Sequence, residues 1–187
     1  MERFVYGSAA FTGKQVSGEP AEMTDMQCKP SQFVPKFSVL SIDIECSEGG
    51  ELFSIGLATN TYKCVLMIGE AQAAPAWIHW LDNEKILLQQ FVKQVSQIDP
   101  DIIVGWNVVN FDFRLLIKRA ALHTVELLLG RDSQPISWRD ARNEVNQGFV
   151  FMPGRVVVDG IDALTTATYQ FDSCRFDIVV QTLLGNG

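Results

Sequence analysis

Two carboxylates one residue apart, Asp43 and Glu45, stand inside the apolar run Val39-Leu40-Ser41-Ile42-Asp43-Ile44-Glu45. Side chains alternate across a strand, so residues i and i+2 share one face. Two acids on one face of a core strand repel each other and lose hydration unless a cation sits between them. Oxygen-only ligands suit a hard divalent ion, magnesium or manganese, better than zinc. The chemistry on offer is half of a metal site. The pattern is short, and a strand end whose acids reach solvent would produce the same spelling. That spelling recurs at Asp82-Asn83-Glu84, where an N-cap and a first-turn charge ahead of an amphipathic helix account for it.

A third acid comes from Asn107-Val108-Val109-Asn110-Phe111-Asp112, directly after the apolar stretch Ile102-Ile103-Val104-Gly105-Trp106. Here Asp112 falls in the first turn of a helix, where negative charge is favoured and can face the carboxyl edge of a sheet. An Asn turn followed by a helix-starting acid is the plain alternative. Position argues for the site: this segment ends the next parallel strand after the one that carries Asp43 and Glu45. Asp159 and Asp162 would widen the acid group, but a strand end at a Gly turn and a helix start explain them, so both stay outside it.

The elements that must hold these residues follow from the hydrophobic pattern. The Asp43 strand reads as buried on both faces. Strands over residues 52–58 and 62–68 extend it as an antiparallel meander, and residues 69–80 read as a loop. A helix over 83–98 shows Leu87, Phe91, Val95 and Ile98 on one stripe. The strand at 102–106 should then run parallel to the first, since a helix connects them. A second helix opens at the Asp112 segment and runs to about Leu122. Residues 149–152 and 155–158 suggest a β-hairpin around Pro153-Gly154, and helices are expected over 161–168 and 176–184. The result is an α/β fold with a mixed sheet flanked by helices. Residues 1–36 read differently: a short strand at Phe4-Val5-Tyr6, then a linker or the fringe of another domain, with the main domain spanning 37–187.

Composition excludes several classes. The 187 residues are 47% hydrophobic and 20% charged, an ordinary globular balance. No apolar run approaches membrane-spanning length, and no basic-then-apolar leader opens the chain. Cys28, Cys46, Cys64 and Cys174 form no C-x-x-C pair and are expected as reduced thiols in a cytoplasmic protein. His79 and His123 read as surface or packing residues, and Trp106 and Trp138 as core. Arg114 and Lys118, one turn apart, could touch phosphates or simply form a solvated face. A net charge of −7 argues against a protein that coats duplex DNA nonspecifically, but not against an enzyme that draws a few nucleotides into an acidic, metal-filled cleft.

At these residues the chain resembles a known family. Ser41-Ile42-Asp43-Ile44-Glu45 looks like the first motif of the proofreading 3′→5′ exonuclease domain of family B DNA polymerases, in the DEDD, RNase H-like superfamily. Residues Asp101 to Asp112 look like its second motif. Met1-Glu2-Arg3-Phe4, Gly130-Arg131-Asp132, Asp159-Gly160-Ile161-Asp162-Ala163-Leu164 and Leu183-Leu184-Gly185-Asn186-Gly187 are similar to bacterial members. The resemblance implies an RNase H-like fold and two divalent cations, Mg2+ or Mn2+. It gives Asp43 the bridging role, Glu45 the ion that activates water, and Asp112 the second ion. It also implies that Asn107 bonds the terminal nucleotides while Phe111 packs on a base or supports the helix start. Implied partners are a single-stranded 3′ end of DNA, the remaining polymerase domains and, through those parts, a sliding clamp; the place is the bacterial cytoplasm, at the nucleoid. The family's third motif, a Tyr and an Asp with three residues between them, does not occur after Asp112. The chain is therefore expected to be a fragment lacking the fourth carboxylate, with low activity or with a silent DNA-binding or domain-packing role.

Overall fold

The structure is a computed structural model that describes residues 7–16, 22–142, 147–167, 169–171 and 173–185. The strand expected at Phe4-Val5-Tyr6 lies outside the described residues. The chain divides into two units, Met1–Lys36 and Phe37–Gly187. In the first, the stretch expected as linker forms an antiparallel pair, β1 (Ala9–Val16) and β2 (Glu22–Pro30), with a register shift between Thr12 and Lys14.

The second unit is built on a six-stranded sheet. Its strands are β3 (Val39–Cys46), β4 (Leu52–Ala58), β5 (Lys63–Ile68), β6 (Ile78–Leu81), β7 (Ile102–Gly105) and β10 (Val156–Asp159), in the order β10-β7-β3-β4-β5-β6. The β3-β4-β5 meander is antiparallel, and β7 and β10 continue from β3 in parallel. This is the mixed sheet expected of an RNase H-like domain. Strand β6, which pairs parallel with β5, replaces the loop expected over 69–80. At four residues on the sheet's rim it is too short to show a period in sequence.

Helix α1 (Glu84–Ile98) begins on Asn83, whose Oδ1 accepts the Ile86 amide at 3.0 Å, and ends on a left-handed Asp99. Its stripe of Leu87, Leu88, Phe91 and Val95 is buried in one cluster with Leu40, Ile42 and Ile44 of β3, Ile55 and Leu57 of β4, and Leu116 of α2 (Arg114–His123). Beyond α2, a short pair β8 (Ser137–Asp140) and β9 (Gly148–Phe151) forms its own sheet. The hairpin expected around Pro153-Gly154 is not present: β9 pairs with β8, whereas β10 pairs with β7. The turn itself exists, with Gly154 at φ 74°, but Arg131 donates its amide to the Pro153 carbonyl at 2.9 Å and draws the chain toward the main sheet. Helices α3 (Gly160–Thr166) and α4 (Phe176–Leu184) close the fold.

One latch sets the sheet's register. Asp101, just before β7, accepts both the Ser38 amide and its hydroxyl at 2.8 Å, and Arg131 bonds its other oxygen at 2.8 Å. The Ser38 bonds and the Arg131 guanidinium hold the Asp101 carboxyl down to about 2. The latch aligns Val39 with Ile102 and Ser41 with Val104. Everything downstream on β3 and β7 takes its position from that pairing. Among the described residues, no helix is long and apolar enough to cross a membrane.

Candidate active site

On β3, Leu40, Ile42 and Ile44 face the core, while Val39, Ser41, Asp43 and Glu45 are exposed on the opposite face. The expectation of burial on both faces is corrected here. Asp43 lies opposite Gly56 and Glu45 opposite Ser54 on β4, so small neighbours leave the two carboxylates open to water. An ionised acid keeps its hydration that way. Between Glu45 and Cys46 the register shifts, so the ladder ends its regular course just past the second acid.

The Asp112 segment leaves β7 through Gly105. A Cβ at Gly105 would stand 2.8 Å from the Ile42 carbonyl oxygen and 2.8 Å from the Val108 side chain, so only glycine lets these backbones approach. Asn107 then turns left-handed at φ 56°, and its carbonyl accepts the Phe111 amide at 2.9 Å. Residues Val108–Phe113 form a π turn rather than the regular first turn of a helix. Two side chains hold it in that wider form. Asp159 accepts the Val109 amide at 3.0 Å, and Asn110 accepts the Gly148 amide at 3.0 Å. Such π turns are frequent at functional sites because they redirect a side chain.

The side chain redirected here is Asp112, which is 2% exposed. Burial, and then the charge of Asp43, push its pKa up to about 7, with a smaller contribution from Asp159. Backbone hydrogen bonds at its own position and at Ile44 oppose the rise. The Ile44 bond places Asp112 beside the strand that carries Asp43. The Cys46 thiol is raised by burial, then by Glu45, then by Asp112, so the second strand acid and the helix acid act on one neighbour. Asp43 and Asp112 are thus within electrostatic reach. Among the described residues, however, no group of three or more His, Cys, Asp or Glu is drawn together closely enough to hold a metal ion. Asp43, Glu45 and Asp112 border one edge of the sheet without closing into such a group. Their oxygens nevertheless fit a hard divalent cation in kind, and the burial of Asp112 beside the charge of Asp43 marks where positive charge is wanted.

The other expected residues sort cleanly. Asn107 is half-buried at the turn, and Phe111 is exposed. Trp106 bonds the Cys174 carbonyl at 2.9 Å and packs edge-on against Phe176. Trp138 packs partly buried against the core, with the Arg114 guanidinium over its ring at 5.9 Å, and Lys118 is exposed. Asp159 caps α3 through the Ile161 amide while holding Val109, so both its oxygens are occupied by backbone donors. His123 is not a simple surface residue: it meets Glu84, whose burial the sequence pattern did not suggest. A buried first-turn acid and a solvated one are spelled alike, so no local signal could have found it.

Residues 19–173 match the family described as DNA polymerase family B, exonuclease domain. The chain is 34% identical to DNA polymerase II of Escherichia coli (strain K12) over 192 residues, which cover 100% of this chain and 24% of that protein. It is 29% identical to a DNA polymerase of Pyrococcus horikoshii over 123 residues, 59% of this chain and 9% of the relative. The DNA polymerase delta catalytic subunit of Caenorhabditis elegans is 29% identical over 110 residues, 48% of this chain and 10% of the relative. The chain therefore spans about a quarter or less of each relative's length.

Proposed function

This chain belongs to the exonuclease domains of family B DNA polymerases, and from that premise we propose that it hydrolyses the terminal phosphodiester at single-stranded or frayed 3′ ends of DNA. The observation that carries the reading is Asp112, buried at the edge of the sheet with its pKa pushed up to about 7 by burial and by Asp43. A buried carboxyl whose ionisation is opposed by a neighbouring carboxylate is a place for a cation, Mg2+ or Mn2+. Asp43, Glu45 and Asp112 would hold such ions. Bound there, divalent ions would lower the pKa of a water and neutralise charge on the phosphodiester.

The remaining roles belong to the protein's own groups. Asn107 offers its amide to the terminal nucleotide, and exposed Phe111 offers a stacking surface that tolerates any base. A mismatched end frays more readily, so selection for single strands favours removal of errors. The domain works in this reading beside the polymerase domains of its parent, in the bacterial cytoplasm. Turnover is slow in this reading, because Asp43, Glu45 and Asp112 do not close into a metal-holding group among the described residues.

A second reading has its own support. The three acids do not close into a metal-holding group among the described residues, which favours a catalytically silent DNA-binding or domain-packing piece. End-labelled single-stranded DNA separates the two. Incubated with Mn2+ or Mg2+, the chain should shorten it slowly from the 3′ end, and Asp43→Ala should lower the rate by about 10²-fold or more. A version extended to include a fourth acid should run faster. DNA left intact by both chains would leave the silent reading, and equal rates with Asp43→Ala would remove Asp43 from the site.

A further inference from the structure

Glu84, the first residue of α1, turns its carboxylate inward until the side chain is 10% exposed. Its Oε1 accepts the Leu52 amide at 2.8 Å and Arg119 Nε at 2.7 Å. Its Oε2 accepts Arg119 Nη2 and lies 2.6 Å from His123 Nε2. One carboxylate therefore joins three elements: the start of α1, the start of β4, and α2. Both remote attachments lead to the candidate active site. Leu52 pairs with Cys46, the residue after Glu45, at the point where the register shifts. Arg119 sits on α2, which continues the π turn that carries Asp112.

We propose that Glu84 and Arg119 are positioning residues for the acidic edge, their ion pair setting the strand end at Glu45 and the helix start at Asp112 in place relative to each other. The inference rests on the metal-dependent reading above. Arg119 stands on the helix that directly continues the π turn of Asp112, seven residues further along the chain, so a restraint on α2 bears on that turn. The guanidinium engages both carboxylate oxygens in a planar fork, a geometry that a lysine cannot reproduce. An apolar pair could hold α1 against α2 equally well, but without fixing their axial register. The buried charge pair fixes it, because both oxygens of Glu84 must meet their donors at once. Metal ligands lose affinity when the groups that orient them are removed, typically by about 10–100-fold.

Mn2+ binding by the intact chain, followed by electron paramagnetic resonance, tests this without any reliance on turnover. Glu84→Gln and Arg119→Lys are each expected to weaken Mn2+ by about tenfold. Val95→Ala, which shortens a fully buried side chain of α1 about three turns beyond the ion pair, serves as the destabilised control and should bind Mn2+ as the wild type does. Should one variant fail to fold, the other carries the test. Wild-type affinity in both variants, or an equal loss in Val95→Ala, would overturn the positioning role while leaving the metal site standing. Absence of Mn2+ binding by the wild-type chain would instead overturn the metal reading, and the positioning role with it.

Discussion

Asp112 and Glu84 are buried acids whose environments push them in opposite directions, and their pH signatures differ accordingly. Burial and Asp43 raise Asp112 from 3.8 to about 7, so the folded state binds that proton more tightly than the unfolded chain does. The stability it contributes is full below about pH 4 and lost as the pH rises through about 7. Asp112→Asn should therefore be more stable than the wild type at pH 8, by about 2–4 kcal/mol, with the advantage gone at pH 4 in urea titrations. Mn2+ should raise the wild-type midpoint at pH 8 and leave that of the Asn variant unmoved. At Glu84, burial raises the pKa but is outweighed by the Arg119 fork, the Leu52 amide and His123, which bring it from 4.5 down to about 2. Its contribution is present above about pH 4.5 and is lost as the pH falls through about 2. Arg119→Ala leaves that buried charge without its guanidinium, with the Leu52 amide and His123 still beside it, a change that costs about 3 kcal/mol at neutral pH and should appear as a lowered urea midpoint. At this scale the sequence was legible where chemistry is spelled locally, as in Asp43, Glu45 and Asp112. It was silent on Glu84, because the partners Arg119 and His123 belong to another helix.

Elements were legible where a period runs long enough. The stripe on α1 and the Asn83 cap define that helix almost to the residue, and α4 spans the expected Phe176–Leu184. The failures share a cause. Strand β6 is four residues at an edge, and β9 and β10 follow each other across a good turn yet choose different partners. Turn chemistry reports that the chain reverses, not which strand lies beside which. The π turn was read as an ordinary helix start because what widens it, Asp159 and Gly148, comes from distant sequence. Gly105 tests that construction. A side chain there meets the Ile42 carbonyl and Val108 at 2.8 Å, so Gly105→Ala must push the π turn off the strand end. The expected cost is about 1–3 kcal/mol in denaturant unfolding, with Mn2+ affinity falling as Asp112 shifts. Unchanged stability would mean that Val108 and the Ile42 carbonyl can give way to a Cβ at no cost.

At the scale of the molecule, the buried residues of the described core cluster run from Leu40 to Met152, within the unit Phe37–Gly187. A chain beginning at Phe37 should keep the wild-type unfolding free energy, measured in urea, to within about 0.5 kcal/mol, as for changes away from packed features. Charge makes the stronger claim. A protein of net charge −7 cannot hold DNA by a broad basic track, so whatever affinity it has must come from a few groups at the site. Single-stranded binding loses about 0.7 in log K per phosphate contact for each decade of salt. With one or two cations engaged, the slope of log K against log salt should be no steeper than about −1.5. Stacking on Phe111 adds affinity without adding slope, so Phe111→Ala should weaken binding by about 1–3 kcal/mol while leaving the slope unchanged. Fluorescence anisotropy with a short labelled oligonucleotide across salt concentrations measures both quantities. A slope near about −4 would require a run of phosphate contacts, and the strand would then lie along a surface other than the acidic edge.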